Sequence, residues 1–172
     1  HLGAAVELGA DDLRPEYFQP YNILYLEGYL INDKALVEKA CSLAKENNME
    51  VALDLASYNV VQAKIEDFRD IVGKYIDIIF ANEDEAKAFT GHDPQGALDR
   101  LARECRIAIV KTGKDGSLVR RGEEIIRINP MPVECRDTTG AGDLYAAGFL
   151  YGYSQDLPLD VFGHTVGMRG PG

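Results

Sequence analysis

The feature that most constrains the fold of this chain is an alternation of short apolar runs with segments of helical periodicity. The apolar runs, each of which predicts a strand, lie at residues 22–27, 51–55, 76–80 and 106–110. The segments with helical spacing of apolar residues lie at 33–47, 61–75, 82–90 and 94–105. Alternation of this kind predicts βαβ units and a parallel sheet. We therefore expect an α/β fold in which a mainly parallel sheet is flanked by helices.

The pattern changes after residue 110. Lys114-Asp115-Gly116 has the composition of a hairpin turn, and the apolar residues on either side of it predict two neighbouring strands. Arg121-Gly122 then leads into a further strand at 124–128, and a helix is predicted at 144–151. The sheet is thus expected to continue as an antiparallel hairpin section.

The acidic charge balance argues against two classes of partner. The chain has 18 Lys and Arg residues against 28 Asp and Glu residues, which gives a net charge of −10. Nucleic acids and anionic membranes carry the same sign of charge and are poor partners for such a surface. Every apolar run is also far shorter than the roughly 20 residues that a membrane-spanning helix requires. We expect no nucleic acid and no membrane among the partners.

The cysteines indicate neither a disulfide framework nor a zinc site. Cys41, Cys105 and Cys135 are odd in number and widely spaced, without a CxxC motif or a paired histidine. Free thiols of this kind are typical of a reducing compartment, so a cytoplasmic location is expected.

A glycine-rich segment at 137–143, Asp-Thr-Thr-Gly-Ala-Gly-Asp, carries the strongest chemical signal. It lies where a loop enters a predicted helix, so several backbone N–H groups can converge on one anion with the helix dipole behind them. It is neither a P-loop nor a dinucleotide-binding fingerprint. Asp143, in the first turn, could accept a proton from a hydroxyl that attacks a bound phosphoryl group. Alternatively, the glycines form a tight turn and Asp143 only complements the helix dipole.

This segment, followed by Leu-Tyr-Ala-Ala-Gly-Phe-Leu at 144–150, resembles the C-terminal signature of the PfkB, or ribokinase-like, carbohydrate kinase family. The resemblance implies a ribokinase-like fold. It also implies that Asp143 is the catalytic base and that the backbone amides of Gly140, Ala141 and Gly142 form the anion hole. Thr139, in the same signature, is assigned to the nucleotide site.

Two further segments resemble the family in the expected order. Asn82-Glu83-Asp84-Glu85 resembles an Asn-x-x-Glu motif, which implies that Asn82 contacts the nucleotide site and that Glu85 holds Mg²⁺ through water. Residues 111–116 resemble the segment that lies along ATP. This second likeness implies that Thr112, Gly113 and Gly116 are nucleotide-binding residues.

Each of these segments also has a purely structural interpretation. An asparagine followed three residues later by a glutamate is the pattern of a helix capping box, although a cap beside a phosphate could also present Glu85 to hydrated Mg²⁺. Asp115-Gly116 is an ordinary hairpin turn by composition. Asp54 lies at the end of a predicted strand, where ligands collect in open α/β sheets, yet it could equally cap the next turn, so it is not assigned to the site.

The resemblance covers only the later half of a typical family member. The chain begins with His1 rather than methionine, and the N-terminal half and the lid of the family are expected to be absent. We predict that residues 1–160 form the ATP-binding and catalytic portion of a ribokinase-like kinase domain. Residues 161–172 are predicted to be a divergent, disordered tail.

The resemblance implies an ATP- and Mg²⁺-dependent phosphotransferase of the ribokinase, fructokinase or adenosine kinase type, acting on a hydroxymethyl group of a small sugar or nucleoside. A homodimer is left open for the complete protein. The first alternative is a non-catalytic nucleotide-binding fragment whose acceptor half is missing. The second is an α/β domain whose glycine-rich loop binds no phosphate.

Overall fold

The computed structural model describes residues 7–130, 140–159 and 161, and within them the chain forms one six-stranded sheet with helices on both faces. The strands are β1 (Ile23–Glu27), β2 (Glu50–Asp54), β3 (Ile78–Asn82), β4 (Ile107–Lys111), β5 (Ser117–Arg121) and β6 (Glu124–Ile128). The α-helices are α1 (Lys34–Glu46), α2 (Tyr58–Ala63), α3 (Ile65–Tyr75), α4 (Glu83–Thr90), α5 (Pro94–Leu101) and α6 (Ala141–Ser154). None of these helices combines the length and the apolar character needed to cross a bilayer.

The strands lie in the sheet in the order in which they occur along the chain. β1 to β4 are parallel to one another, whereas β4, β5 and β6 pair in antiparallel fashion. Parallel neighbours need a crossover connection, and such connections are right-handed. Successive right-handed crossovers between strands in chain order place their helices on the same face of the sheet. The predicted α/β fold with an antiparallel hairpin section is therefore confirmed.

Two apolar layers bury the two faces of the sheet. Side chains alternate between the faces along each strand, so that Ile79 and Ala81 pack against α1 to α5 while Ile78 and Phe80 pack against α6. The ring of Phe149 in α6 meets the ring of Phe80 edge to face, with the centroids 5.4 Å apart. These contacts fix the start of α6 relative to the ends of the central strands.

The predicted helix at 61–75 is wrong in one respect, because the structure has two helices that meet at Lys64. α2 packs mainly against α4, whereas α3 packs against α1, so the chain changes direction between them. The helix predicted at 94–105 ends earlier, at Leu101.

The third strand also begins two residues later than its apolar run predicts. Asp77 lies within that run, and its carboxylate accepts a hydrogen bond from the backbone N–H of Val51 (2.7 Å) and pairs with Lys45. This anchor holds Asp77 at the amino end of β3, so the strand starts at Ile78. The predicted division of the chain at residue 160 stays a prediction, since residues 160 and 162–172 lie outside the described residues.

Candidate active site

Polar side chains end four neighbouring parallel strands at one edge of the sheet. Glu27, Asp54, Asn82 and Lys111 are the last residues of β1, β2, β3 and β4. Glu27 is directly opposite Asp54 in the strand register, and Asn82 is directly opposite Lys111. The carboxyl edge of an open α/β sheet is where ligands bind, so these four residues locate the candidate site.

Asn82 and Glu85 form a complete capping box at the start of α4. The side-chain oxygen of Asn82 accepts a hydrogen bond from the Glu85 backbone N–H (2.9 Å), and a Glu85 oxygen accepts one from the Asn82 backbone N–H (2.8 Å). The second Glu85 oxygen accepts from the Asn82 side-chain amide (2.7 Å). The structural interpretation of this motif is confirmed, and its predicted contact with hydrated Mg²⁺ stays a prediction.

Glu85 is only 3% exposed, and its carboxylate therefore lacks most of its hydration. Burial raises the pKa of Glu85 above its ordinary value, and the hydrogen bond from the Asn82 backbone opposes that shift. Each of its oxygens keeps a second lone pair beyond the bond to Asn82. Glu85 can thus still accept a hydrogen bond from a water molecule in the cavity.

The start of α6 presents to the same region backbone N–H donors that have no acceptor inside the helix. Gly140 precedes the helix with φ of +75°, a left-handed conformation that glycine adopts without steric cost. Leu144 is the residue whose N–H donates to the Gly140 carbonyl (2.9 Å), so the N–H groups of Ala141, Gly142 and Asp143 have no acceptor within the helix. Together with the helix dipole they form an anion-binding end.

A cavity of about 250 Å³ at this edge brings four of the predicted site residues together. Asn82 and Glu85 line it from the start of α4, and Gly142 and Asp143 line it from the first turn of α6. Residues separated by more than fifty positions in the chain therefore face one space. Asp143 is part of the cavity lining, as its predicted role as a base requires, and that role stays a prediction.

A second cavity of about 400 Å³ adjoins the first, because both are lined by Asn82, Lys111 and Gly142. Gly113, Gly116 and Ala141 also line it. This cavity runs from the start of α6 to the turn after β4, the segment predicted to lie along ATP.

Two predicted residues, Thr112 and Gly140, line neither cavity, and the placement of Thr139 stays a prediction. Thr112 is the residue before the 3₁₀ turn Gly113–Asp115, and its N–H donates to the Gly116 carbonyl (2.8 Å). It supports the turn and, like Gly140, is not part of the described lining of either cavity. Thr139 lies outside the described residues.

Lys111 and Asp54 were not predicted as site residues, although both line the first cavity. Lys111 Nζ lies 2.7 Å from Asp54 Oδ2, and the two side chains are 16% and 8% exposed. The signal that could have revealed them is their common position, since each is the polar residue that ends an apolar strand.

Tyr25 on β1 was also missed. Its hydroxyl is buried at the first cavity and has no hydrogen-bond partner among the described residues. Burial raises the pKa of Tyr25, and the negative charges of Asp54 and Asp143 raise it further. The hydroxyl therefore remains protonated and can donate a hydrogen bond.

The charge of the first cavity bears on metal binding. Four carboxylates line it, from Glu27, Asp54, Glu85 and Asp143. Within the described ranges, however, no three His, Cys, Asp or Glu side chains converge to hold a metal ion directly. Mg²⁺ usually keeps several waters and binds through one or two carboxylates plus phosphate oxygens, and the donors here fit that mode of binding.

Comparison with known proteins decides the family. The model of the pfkB family of carbohydrate kinases matches residues 3–164. The chain belongs to the pfkB family. This pfkB chain spans about half the length of the curated relatives that it matches.

Two curated relatives of this pfkB chain act on different sugars according to their names. One is an ATP-dependent 6-phosphofructokinase of Thermoanaerobacterium thermosaccharolyticum, 34% identical over 73% of this chain and 41% of the relative. Another is a 5-dehydro-2-deoxygluconokinase of Clostridium perfringens, 31% identical over 87% of this chain and 48% of the relative.

The solved structures agree with the family assignment. The crystal structure of adenosine kinase from Sinorhizobium meliloti is 36% identical and superposes with a TM-score of 0.86 over 92% of this chain and 50% of the other. The ribokinase-like fold expected from the sequence is therefore confirmed for this pfkB chain.

Proposed function

We propose that the complete protein is an ATP-dependent phosphotransferase that transfers the γ-phosphoryl group of MgATP to a hydroxymethyl group of a sugar or nucleoside. The observation that carries this proposal is the first cavity, where the start of α6 and the capped start of α4 face each other across one space. A phosphate-binding helix end, a carboxylate in its first turn and an acidic strand edge together provide the groups that phosphoryl transfer needs.

The N–H groups of Ala141 and Gly142 would stabilise the negative oxygens of the phosphoryl group. They have no acceptor inside α6, and the helix dipole adds to their positive potential. Donors that are already oriented cost no reorganisation when charge develops in the transition state. Packing of Phe149 against Phe80 keeps these donors fixed relative to the strand ends.

Asp143 would act as the general base. Its carboxylate accepts the proton of the acceptor hydroxyl while the hydroxyl oxygen forms a bond to the γ-phosphorus, and the bond from that phosphorus to the ADP oxygen breaks. Asp143 follows Gly142 in the first turn of α6, so proton removal and phosphate binding occur side by side.

Mg²⁺, when bound with ATP, supplies positive charge against the phosphate oxygens. Glu85 would contact one of its waters, since both Glu85 oxygens already accept hydrogen bonds from Asn82. Asn82 lines both cavities and would orient the nucleotide phosphates between them.

The names of the relatives support the substrate class but not a single substrate. They name a phosphorylated fructose, a dehydro-deoxygluconate and, for the solved structure, adenosine. We accordingly propose a small sugar or nucleoside alcohol as the acceptor class.

Replacement of the proposed base tests this function. In the full-length protein, Asp143→Asn is expected to lower turnover by about 10²- to 10⁴-fold, because the acceptor hydroxyl loses its general base. The dissociation constant for MgATP, measured by calorimetry, should change little. The matched control is Asp156→Asn, which follows the far end of the same helix in a left-handed conformation (φ +51°) that asparagine accepts. Wild-type turnover by Asp143→Asn would refute the assignment of the base.

A second candidate function is nucleotide binding without catalysis by the 172-residue chain. It is favoured by the observation that the chain covers only 41–50% of the relatives described above. Calorimetry with MgATP and a phosphotransfer assay with ribose, fructose and adenosine separate the candidates. Binding without transfer favours the second candidate, and a folded sample that binds neither ATP nor ADP contradicts both.

A further inference from the structure

Lys111 is a cation held at the junction of the two cavities. It ends β4, and both cavities are lined by its side chain. Among the described residues that line either cavity it is the single lysine or arginine. Any negative ligand that enters this space therefore meets one positive side chain.

The ammonium group of Lys111 also lies against the anion-binding end of α6. A Cβ atom built on Gly142 would be 3.4 Å from Lys111 Nζ. The amine and the N–H groups of the first helical turn thus border the same volume. An oxyanion bound by those N–H groups would be within reach of the lysine, whose three donors rotate on a flexible stem.

In the structure this ammonium group is bound to Asp54, whose carboxylate is fixed. Asp54 Oδ2 lies 2.7 Å from Lys111 Nζ, and Oδ1 accepts a hydrogen bond from the Ala56 backbone N–H (3.0 Å). The turn Gly28–Asn32 packs closely on the backbone that follows Asp54. A Cβ atom on Gly28 would be 2.5 Å from the carbonyl oxygen of Leu55. The Asp54 carboxylate is thus held by its own backbone, whereas Lys111 reaches it on a flexible four-carbon stem.

A phosphate group would compete with Asp54 for this lysine. Both are oxyanions, and a charge-assisted hydrogen bond from an ammonium group to either is strong. The negative charge of Asp54, whose side chain is 8% exposed, also repels an entering phosphate at short range. Lys111 should therefore strengthen phosphate binding, and Asp54 should weaken it.

We propose that Lys111 is the phosphate-binding cation of this site and that Asp54 is its counterion in the absence of ligand, so that an entering nucleotide phosphate takes the ammonium group from Asp54. This proposal rests on the proposed function, because it assigns a residue to the phosphate subsite of the same cavity. It adds a positioning pair that the glycine-rich and Asn-x-x-Glu motifs do not contain.

A purely structural ion pair makes a different prediction. If the pair only stabilised the sheet edge, then removal of either charge would leave the partner buried and unpaired and would weaken stability and ligand binding together. Our proposal instead requires that loss of Lys111 weakens phosphate binding and that loss of the Asp54 charge strengthens it. The sign of the Asp54 effect is therefore the decisive measurement.

The test uses the 172-residue chain and metal-free ATP in the presence of EDTA, so that Mg²⁺ cannot bridge the ligand to the carboxylates. Lys111→Met should weaken ATP binding about 10- to 100-fold, the range for a lost hydrogen bond to a charged group. Asp54→Asn should strengthen it about three- to tenfold, because a negative charge close to the phosphate is removed. Asparagine at this position keeps an oxygen for the Ala56 N–H.

The matched control is the pair Lys45 and Asp77, which lies at the amino end of the strands, away from both cavities. Lys45→Met and Asp77→Asn change the net charge of the chain by the same amounts. They should leave ATP affinity within about twofold of wild type, because a five-residue strand of about 16 Å separates the two ends of the sheet and charges beyond a Debye length of about 10 Å are largely screened. AMP, which lacks the β- and γ-phosphates, is a second control and should respond less than ATP to Lys111→Met.

The outcomes separate failure of this inference from failure of the proposed function. If the folded wild-type chain binds no ATP with or without Mg²⁺, the proposed function fails and this inference fails with it. If wild type binds ATP and Lys111→Met binds it equally well, only the inference is overturned. Weaker or unchanged ATP binding by Asp54→Asn also overturns the inference. If melting curves show that Lys111→Met does not fold, the ATP affinity of Asp54→Asn decides alone.

Discussion

Two glycine residues in the turn after β4, Gly113 and Gly116, differ in how strongly their surroundings exclude a side chain. Gly113 and Gly116 both have positive φ, +54° and +88°. A Cβ atom on Gly113 would meet no atom within 4 Å, whereas one on Gly116 would lie 2.0 Å from the carbonyl oxygen of Ile128. Conformation alone constrains the first position, and conformation plus backbone contact constrains the second.

We predict that Gly116→Ala is far more destabilising than Gly113→Ala. The open position should lose about 1–2 kcal/mol, the cost of a left-handed conformation for an ordinary residue. At Gly116 the backbone of β6 must also move, so roughly 2–4 kcal/mol is expected. Urea unfolding midpoints of the two variants, with unchanged slopes, measure the difference.

Equal losses for these two variants would contradict the prediction and would show that the turn is not held against β6. The larger loss at Gly116 would establish the hairpin interpretation of Asp115-Gly116. It would not exclude contact with the nucleotide, because Gly116 also lines the second cavity.

Single residues also show what the sequence could and could not predict about the site. The motifs directed attention to Asn82, Glu85, Gly142 and Asp143, which line one cavity, because each motif is local and has a recognisable spacing. The pairing of Lys111 with Asp54 joins residues 57 positions apart. It depends on which strands end side by side, and no local pattern contains that information.

At the scale of elements, the N-terminus of α4 combines a structural cap with a place at the cavity. Asp93 caps α5 in a similar way, with its carboxylate accepting from the Gly96 backbone N–H (2.9 Å). Asp93 belongs to neither of the two cavities at the strand edge. The two caps therefore form a matched pair that separates helix capping from ligand binding.

We predict that Asn82→Ala and Asp93→Ala each destabilise the chain by about 1–2 kcal/mol, because each removes a side-chain cap. Only Asn82→Ala should weaken MgATP binding, by about tenfold, the equivalent of one hydrogen bond to a charged group. Urea unfolding and calorimetry on the same samples provide both values. Equal ATP affinity of the two variants would mean that the Asn-x-x-Glu motif here is a cap and nothing more.

The elements that the sequence predicted best are those whose apolar residues face one side only. α1 was expected at 33–47 and is observed at Lys34–Glu46, with the Asp33 carboxylate accepting from the Leu36 N–H (3.0 Å) at its start. The break between α2 and α3 was missed because apolar spacing continues across Lys64. It arises from packing on two different partners, which periodicity within one segment cannot reveal.

For the whole molecule, the sequence predicted the layers of the fold more readily than the limits of the sheet. Alternating strands and helices require a parallel sheet, and the turn chemistry after β4 requires an antiparallel continuation. Neither pattern tells which strand lies at an edge. Among the described residues, β1 and β6 are the outer strands, because each pairs with one neighbour.

The two outer strands differ in how well they discourage association. On β6, the exposed Ile125 directly follows the exposed Glu124 and lies two residues before the exposed Arg127. On β1, Ile23, Leu24 and Tyr25 are all partly exposed. Unpaired backbone groups next to apolar side chains favour strand addition, whereas charged side chains on an edge oppose it.

We predict that the 172-residue chain self-associates through β1. Ile23→Lys should lower the association constant by about tenfold, the equivalent of about 1.4 kcal/mol, because a charge would have to enter the contact. The lysine stem can still cover the apolar surface that Ile23 packs against, so the monomer should stay folded.

Ile125→Lys on β6 is the control and should have a smaller effect on the association constant. Sedimentation velocity across a range of protein concentrations measures both, at an ionic strength that screens the net charge of −10. A larger effect of Ile125→Lys would assign the contact to β6, and a wild-type chain that stays monomeric at every concentration would show that β1 is protected by some other part of the chain.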